Sequence, residues 1–430
     1  MTTDVTANIL ATAYQRHLDH YQRADPAADW LHNQSTEFLQ QLELVWSCSD
    51  FVAEQAAIDP GLFRQLVKSG DLCRSYQPEQ YGLLLAGFLE QPQGSGCAEE
   101  HLHKQLRRFR RREMMRIIWR DFTRQASLEE TTSNATSLAE ACINLALAQL
   151  HKEQVCALGS PVDSAGAEQQ MLVIAMGKMG ACELNISSDI DLIFAYPEAG
   201  ATIGGSRSVS NQEFFTRLGQ RLIAALDRQT ADGFVFRVDM RLRPYGQSGS
   251  LVMNFSALEE YYLAQGRDWE RYAMIKARVV AGDQQQAQVL EAMLHPFIYR
   301  KYLDYGAIES LRDLKRAIVR EVSRKGLADN IKLGSGGIRE VEFIAQTFQL
   351  IRGGKSPQLQ TQSLHQALRA LQTEQLMSEQ ERTSLWRAYE FLRNTEHALQ
   401  GMGDKQTQQL PQDQLGQFRV AVLMGCDNWV

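Results

Sequence analysis

Residues Met171 to Tyr196, MLVIAMGKMGACELNISSDIDLIFAY, set an apolar run, a glycine turn and two aspartates two positions apart in one short stretch. Apolar runs of this length bounded by glycine read as buried strands. Strand side chains alternate between faces, so Asp189 and Asp191 project together while Ile190, Leu192 and Phe194 face a core. Two carboxylates on one face at the start of a strand repel unless a cation lies between them. An all-oxygen pair of this kind suits Mg²⁺ or Mn²⁺. A bare D-x-D is common by chance and also describes solvated strand-end residues. The preceding strand and turn, and a third acid on a later strand, favour the metal reading.

The 430 residues suffice for about three domains. Hydrophobic content is 44% and charged content 22%, ordinary for a globular chain with several cores. No apolar run approaches the roughly 20 residues that span a bilayer. The start, MTTDVTANIL, has no basic segment followed by an apolar one, so no secretory signal is read. Seven scattered cysteines without C-x-x-C fit reduced thiols in the cytoplasm and argue against a cysteine zinc site. A net charge of −6 disfavours a nucleic-acid polymerase, which would ordinarily be basic.

Met1 to about Arg124 reads as helical. Asp59-Pro60 caps and opens a helix that Gly70 closes, and Glu90 to Gly96 is a loop. Leu106 to Phe122 is a helix with Leu106, Phe109, Met114, Ile117, Ile118 and Phe122 on a buried face. Arg107, Arg108, Arg110, Arg111 and Arg112 run beside it. They read either as a solvated face of snorkelling arginines, some paired to local acids, or as a docking patch for an acidic partner or phosphate. Ser137 to about Leu158 reads as a helix. Ser210 to Glu213 is a capping box that launches a helix carrying Phe214, Phe215, Leu218, Leu222 and Leu226.

Phe234 to Arg243 has the cleanest strand alternation in the chain. Phe234, Phe236, Val238, Met240 and Leu242 share one face, and Arg237, Asp239, Arg241 and Arg243 the other. This reads either as a salt-bridged surface strand or as a metal-binding acid among phosphate-neutralising arginines. Ser256 to Glu259 is a second capping box. Residues 266–283, GRDWERYAMIKARVVAGD, read as helical and bring Arg267, Arg271, Lys276 and Arg278 near the sheet. From about Ala287 the pattern is helical to the end. The turn Ile331 to Arg339 either offers backbone N–H groups to an anion or forms a flexible corner between helices. A helix from about Ile338 to Ile351 ends at Gly353-Gly354, and Ser378 starts another. The final FRVAVLMGCDNWV stops inside an apolar helical pattern, which is expected of a piece of a longer chain.

A strand, a glycine turn, D-x-D and a distant third Asp resemble the nucleotidyltransferase superfamily typified by DNA polymerase β. Lys178 stands where that family usually has Ser or Gly against phosphate; it either reaches phosphate or points away. GKMGACELNISSDIDLIFAYPE, FTRLGQRLIAALDRQTADGFVFRVDMRLRPYGQSGSLV, GRDWERYAMIKARVVAGD and IKLGSGGIREVEFIAQTFQLIRGG further resemble, in order, the N-terminal half of the bacterial glutamine synthetase adenylyltransferase/adenylyl-removing family.

That resemblance implies an α+β, predominantly helical chain: a polymerase β-like α/β nucleotidyltransferase domain at 125–285, between an N-terminal helical region at 1–124 and a C-terminal helical bundle at 286–430. It implies removal of AMP from a tyrosine of adenylylated glutamine synthetase, phosphate entering and ADP leaving. Asp189, Asp191 and Asp239 would hold two divalent ions, Mg²⁺ or Mn²⁺. Gly177, Lys178, Ser188, Arg237, Arg241 and Arg243 would contact phosphate or nucleotide. Partners implied are glutamine synthetase and the PII signalling protein, with no nucleic acid and no membrane. The rival readings are another protein- or small-molecule-modifying nucleotidyltransferase and a catalytically silent regulatory module.

Overall fold

The computed structural model describes residues 2–90, 98–300 and 330–429, with positions 309, 316 and 320 besides. Residues 91–96 of the expected loop, and most of the helical reading over 301–329, lie outside the described residues.

Short helices, Thr36–Cys48, Asp50–Ile58, Pro60–Lys68 and Pro78–Leu89, pack around the long helix Ala98–Phe122. The Asp59 cap forms as expected: its Oδ1 accepts from Leu62 N at 2.9 Å, and Pro60 opens the helix. The arginine run of the Ala98–Phe122 helix pairs with acids, as its first reading had it, but is not a solvated face. Arg107, Arg110, Arg111, Arg112, Arg116 and Arg120 are all buried. Arg107 donates to the carbonyls of Ala225, Arg228 and Gly233, covering the open end of a later helix. Arg110 pairs with Asp404 at 2.7 Å, and Arg112 with Asp71 and Glu113. Arg116 bonds the carbonyls of Asp71 and Arg74 and packs over the Tyr76 ring, 3.4 Å from its centroid. The run is thus neither a solvated face nor a free patch. It is a polar spine whose guanidinium groups satisfy carbonyls and carboxylates from several elements, as buried charge requires.

The next helix, Leu128–Leu158, starts earlier than the expected Ser137. Thr132 and Thr136 donate to carbonyls one turn back, so the TTSNATS stretch stays helical while buried.

A five-stranded mixed sheet stands at the centre. Strands β2 (Leu172–Ala175) and β3 (Ile190–Tyr196) are antiparallel, and β7 (Arg278–Ala281) flanks β2. The other edge of β3 is shared end to end by β5 (Val238–Asp239) and β6 (Val252–Asn254), both parallel to it. The strands β1 (Ser160–Pro161) and β4 (Thr202–Ile203) form a separate pair. Alternation along β3 sorts its side chains into two cores. Ile190, Leu192, Phe194 and Tyr196 join the core shared with the N-terminal helices and with helix Asn211–Asp227. Ile193 and Ala195 join the core under helices Phe255–Ala264 and Gln284–Ile298.

Three expectations are corrected. The Phe234–Arg243 alternation pairs as strand only at Val238–Asp239. Val235 and Phe236 instead donate to the Leu226 carbonyl, and β6 occupies the rest of that edge. The second cap is Asn254 rather than Ser256: Asn254 Oδ1 accepts from Ala257 N at 2.8 Å. The segment expected as one helix over 266–283 splits into helix Asp268–Met274 and strand β7. The β-branched Val279 and Val280 suit the strand, and pairing with β2 is available there.

The C-terminal helices Ile338–Arg352, Leu364–Thr373 and Glu379–Gly401 form their own core around Ile338, Ala345, Leu368 and Leu371. Ser378 and Glu381 make the expected reciprocal cap. The last turns of Glu379–Gly401 leave this bundle and lie against the Ala98–Phe122 helix, where a side chain on Gly401 would meet the Phe122 ring at 2.7 Å. Among the described residues no helix is long and apolar enough to cross a membrane.

Candidate active site

The site forms where β2 ends and β3 begins. After β2 the chain enters a single helical turn, Gly177–Gly180, with Gly177 at φ +57°. A Cβ on Gly177 would lie 3.3 Å from Asp191 Oδ2, so glycine keeps the approach to that carboxylate open. A Cβ on Gly180 would lie 1.8 Å from the Lys276 carbonyl, so the turn packs directly on backbone. A loop, 181–188, then leads to Asp189, Ile190 and Asp191.

Asp189, Asp191 and Asp239 lie at one strand join. The parallel register sets Asp191 beside Asp239, and Ile190 N donates to Arg237 O at 2.9 Å across the same join. Burial pushes the Asp191 carboxyl up to about 6, and the neighbouring charges of Asp239 and Asp189 add to the rise. Asp239 moves the other way, because Arg241 donates to it from Nε at 2.8 and 3.0 Å. Asp189 accepts from Arg237 Nε at 2.8 Å.

The arginines therefore do different jobs. Arg237 spans Asp189 and the Ser187 hydroxyl. Arg241 folds back on Asp239 while remaining largely exposed. Arg243 turns into its own loop, donating to the carbonyls of Met240, Gln247 and Gly249. Ser188 is half-buried directly before Asp189.

Lys178 is drawn away from solvent. Its Nζ lies 2.9 and 3.1 Å from the two carboxylate oxygens of Glu396, on the Glu379–Gly401 helix. Burial would raise Glu396, but Lys178 and Arg393 outweigh it and hold that carboxyl down to about 2. Burial also brings the Lys178 ammonium down, with Glu396 opposing. Two oxygens on one ammonium, with a second cation behind, is the geometry of an ion pair. Beside it, Lys276 bridges Glu183 at 3.1 Å and Glu342 at 2.7 Å.

The turn Ile331–Arg339 spends its N–H groups internally. Gly334 N donates to Asn330 O, Gly337 N to Gly334 O, and Gly336 N to Glu340 Oε2. It is a corner rather than an anion cradle. Its side-chain contribution went unread: the positive charge of Lys332 acts on Asp191, Lys178 and Glu396. The sequence signal was present, a lysine just before the glycines, but only the folded chain brings it to the acids.

The donor chemistry fits a divalent cation: three carboxylates at one strand join, one of them pushed towards neutrality by burial and by the charges of the other two. Among the described residues no three ligating side chains form a ready cluster, since arginines hold Asp189 and Asp239.

Residues 39–293, which include Asp189, Asp191, Asp239, Arg237, Arg241 and Arg243, match the family described as glutamate-ammonia ligase adenylyltransferase. The chain belongs to this adenylyltransferase family. Residues 312–429 match the family described as GlnD PII-uridylyltransferase. The chain is 54% identical over 395 residues to a Pseudomonas aeruginosa protein named bifunctional glutamine synthetase adenylyltransferase/adenylyl-removing enzyme, covering 91% of this chain and 40% of that one. A Pseudomonas putida protein of the same name is 50% identical over 432 residues, 100% of this chain and 44% of that one. One from Vibrio parahaemolyticus is 48% identical over 404 residues, 94% of this chain and 42% of that one. The chain thus spans about two fifths of the length of these relatives. The stretch that matches the adenylyltransferase family contains Asp189, Asp191 and Asp239 at the join of β3 and β5.

Proposed function

We propose that this chain removes AMP from the adenylylated tyrosine of glutamine synthetase by metal-dependent phosphorolysis. A phosphate oxygen forms a bond to the AMP phosphorus, the bond from that phosphorus to the tyrosine oxygen breaks, and the phenolate takes up a proton. The products are ADP and free tyrosine. The observation that carries the reading is the convergence of Asp189, Asp191 and Asp239 with arginines on the two outer acids.

Asp189, Asp191 and Asp239 would hold Mg²⁺ or Mn²⁺, which on binding would stabilise charge on the attacking and leaving oxygens. Arg237 and Arg241, once an ion replaces them as counter-charge to the acids, are placed to neutralise incoming phosphate. Attack by water would call for a general base. The two histidines nearest in sequence are engaged elsewhere: His151 meets the Phe214 ring edge to face and His295 meets Gln360 at 2.9 Å. Phosphate, already anionic, suits the arginines better.

The relatives' name includes adenylyl removal, and ELNISSDIDLIF resembles the N-terminal, removing copy of the family's two nucleotidyltransferase domains. The match of 312–429 to GlnD PII-uridylyltransferase supports a link to PII signalling. The test is to incubate the chain with adenylylated glutamine synthetase and Mg²⁺, with and without phosphate, and identify the nucleotide released. ADP formed only with phosphate is the expected result. AMP released at the same rate without phosphate makes water the nucleophile and overturns it.

A further inference from the structure

The Glu379–Gly401 helix comes from the C-terminal region, yet three of its residues reach the loop that carries the acids. Arg393, Glu396 and Gln400 are spaced three and four apart, so they share one helix face. All three are 0% exposed. Arg393 Nη2 donates to Glu183 O at 2.6 Å and to Asn185 Oδ1 at 2.5 Å. Glu396 takes Lys178 at the start of the turn. The Gln400 side-chain oxygen accepts from Ser187 N at 3.0 Å. From Ser187 the line continues without a gap: its hydroxyl accepts from Arg237 Nη2 at 3.0 Å, and Arg237 Nε donates to Asp189 at 2.8 Å.

The end of the same helix, directly after Gln400, is clamped. Ser49 Oγ donates to Gly401 O at 2.6 Å, Phe51 N to Met402 O at 3.1 Å, and Arg110 holds Asp404. The loop itself has no strand ladder to fix it between Ala181 and Ser188. This helix supplies the partners of Glu183 O, Asn185 Oδ1 and Ser187 N, while Leu184 N goes to Thr136 and the amides of 181–183 bond within the preceding turn; a buried amide left without its acceptor would drive the backbone to rearrange.

We propose that Arg393, Glu396 and Gln400 are positioning residues of the active site, and that the C-terminal helical region acts on Asp189 and Asp191 through them. They touch no reacting atom; they set the path of the loop that delivers the acids. The claim rests on the assignment of those acids as the reactive centre, but its test does not depend on which reaction they perform.

Gln400→Met keeps the side chain's length and removes the acceptor for Ser187 N. In the full chain, three readouts apply: amide hydrogen exchange over 183–191, Mn²⁺ affinity by electron paramagnetic resonance, and the kinetic constants for AMP removal. The variant should exchange about fivefold to tenfold faster at Ser187 and its neighbours, the factor one buried hydrogen bond is worth. Mn²⁺ binding should weaken by a similar factor, and kcat should fall while KM for phosphate stays within about twofold. Should Gln400→Met fail to fold, the double variant Lys178→Met with Glu396→Met removes both members of the ion pair at once, leaves Arg393 its bonds to Glu183 O and Asn185 Oδ1, and is read in the same three ways. Unchanged exchange over 183–191 and unchanged Mn²⁺ affinity in a folded variant overturn the proposal. A wild-type chain that releases no nucleotide, while the variant still loosens the loop and weakens Mn²⁺ binding, refutes the proposed reaction and upholds the positioning.

Discussion

Lys178 Nζ lies 2.9 Å from Glu396 Oε2, a buried contact between residues 218 positions apart. It ties the turn after β2 to the C-terminal bundle. Glu396→Ala strands a buried ammonium, so it should destabilise the chain by about 3–5 kcal/mol, read from urea unfolding. Lys178→Met with Glu396→Met should cost clearly less than the sum of the single changes, which a double-mutant cycle reports directly. A surface turn lysine would show neither effect.

The buried carboxyls predict an acid limit. Burial would raise Glu342, but Lys276 and Lys178 hold it down to about 2, and Glu396 is likewise held near 2, against an ordinary 4.5. A carboxyl lowered in the folded state adds stability that is full above its unfolded value and lost as pH falls through the folded one. Stability should therefore fall between about pH 4.5 and 2. In Glu342→Gln that slope should flatten, as followed by thermal unfolding across pH.

Asp191→Asn and Asp189→Asn should each lower turnover by about 10³-fold, the order expected when a metal ligand is lost. Asp191 is the acid whose charge is least compensated. Asp191→Asn should thus raise the melting midpoint of the metal-free protein in chelator at neutral pH, since it removes a buried repelling charge. Near-normal turnover of both variants at saturating metal contradicts the assignment.

Arg241 competes with any cation for Asp239. Arg241→Ala should tighten Mn²⁺ binding severalfold in a direct titration, by leaving Asp239 free. The same variant should lower kcat, because a charge available to phosphate is gone. Looser metal binding in Arg241→Ala would show that the arginine helps form the site rather than guarding it.

Arg107 closes the end of the Asn211–Asp227 helix by donating to Ala225, Arg228 and Gly233. Arg107→Ala should destabilise the chain by about 3 kcal/mol, and Arg107→Lys should recover little, since one ammonium cannot match the three-way fork. Chemical denaturation of both variants checks this.

Features that depend on near neighbours in sequence were legible without the fold. The Asp59 and Ser378 caps need only a side chain and an amide three residues on. Strands β2 and β3 and the shared side of Asp189 and Asp191 follow from the two-residue period of an extended chain. Partners across the chain were not legible, because one-dimensional pattern carries no distance. The arginine run looks the same in sequence whether it meets water, phosphate or the carbonyls it in fact covers. The Phe234–Arg243 alternation is equally strand-like throughout, but β3 offers it only the length that β6 leaves free. Val279 and Val280 fit helix or strand until β2 supplies hydrogen bonds. Lys178 could have reached phosphate; packing of the C-terminal helix put Glu396 there first, and a buried ammonium takes the nearest carboxylate because it cannot remain unpaired.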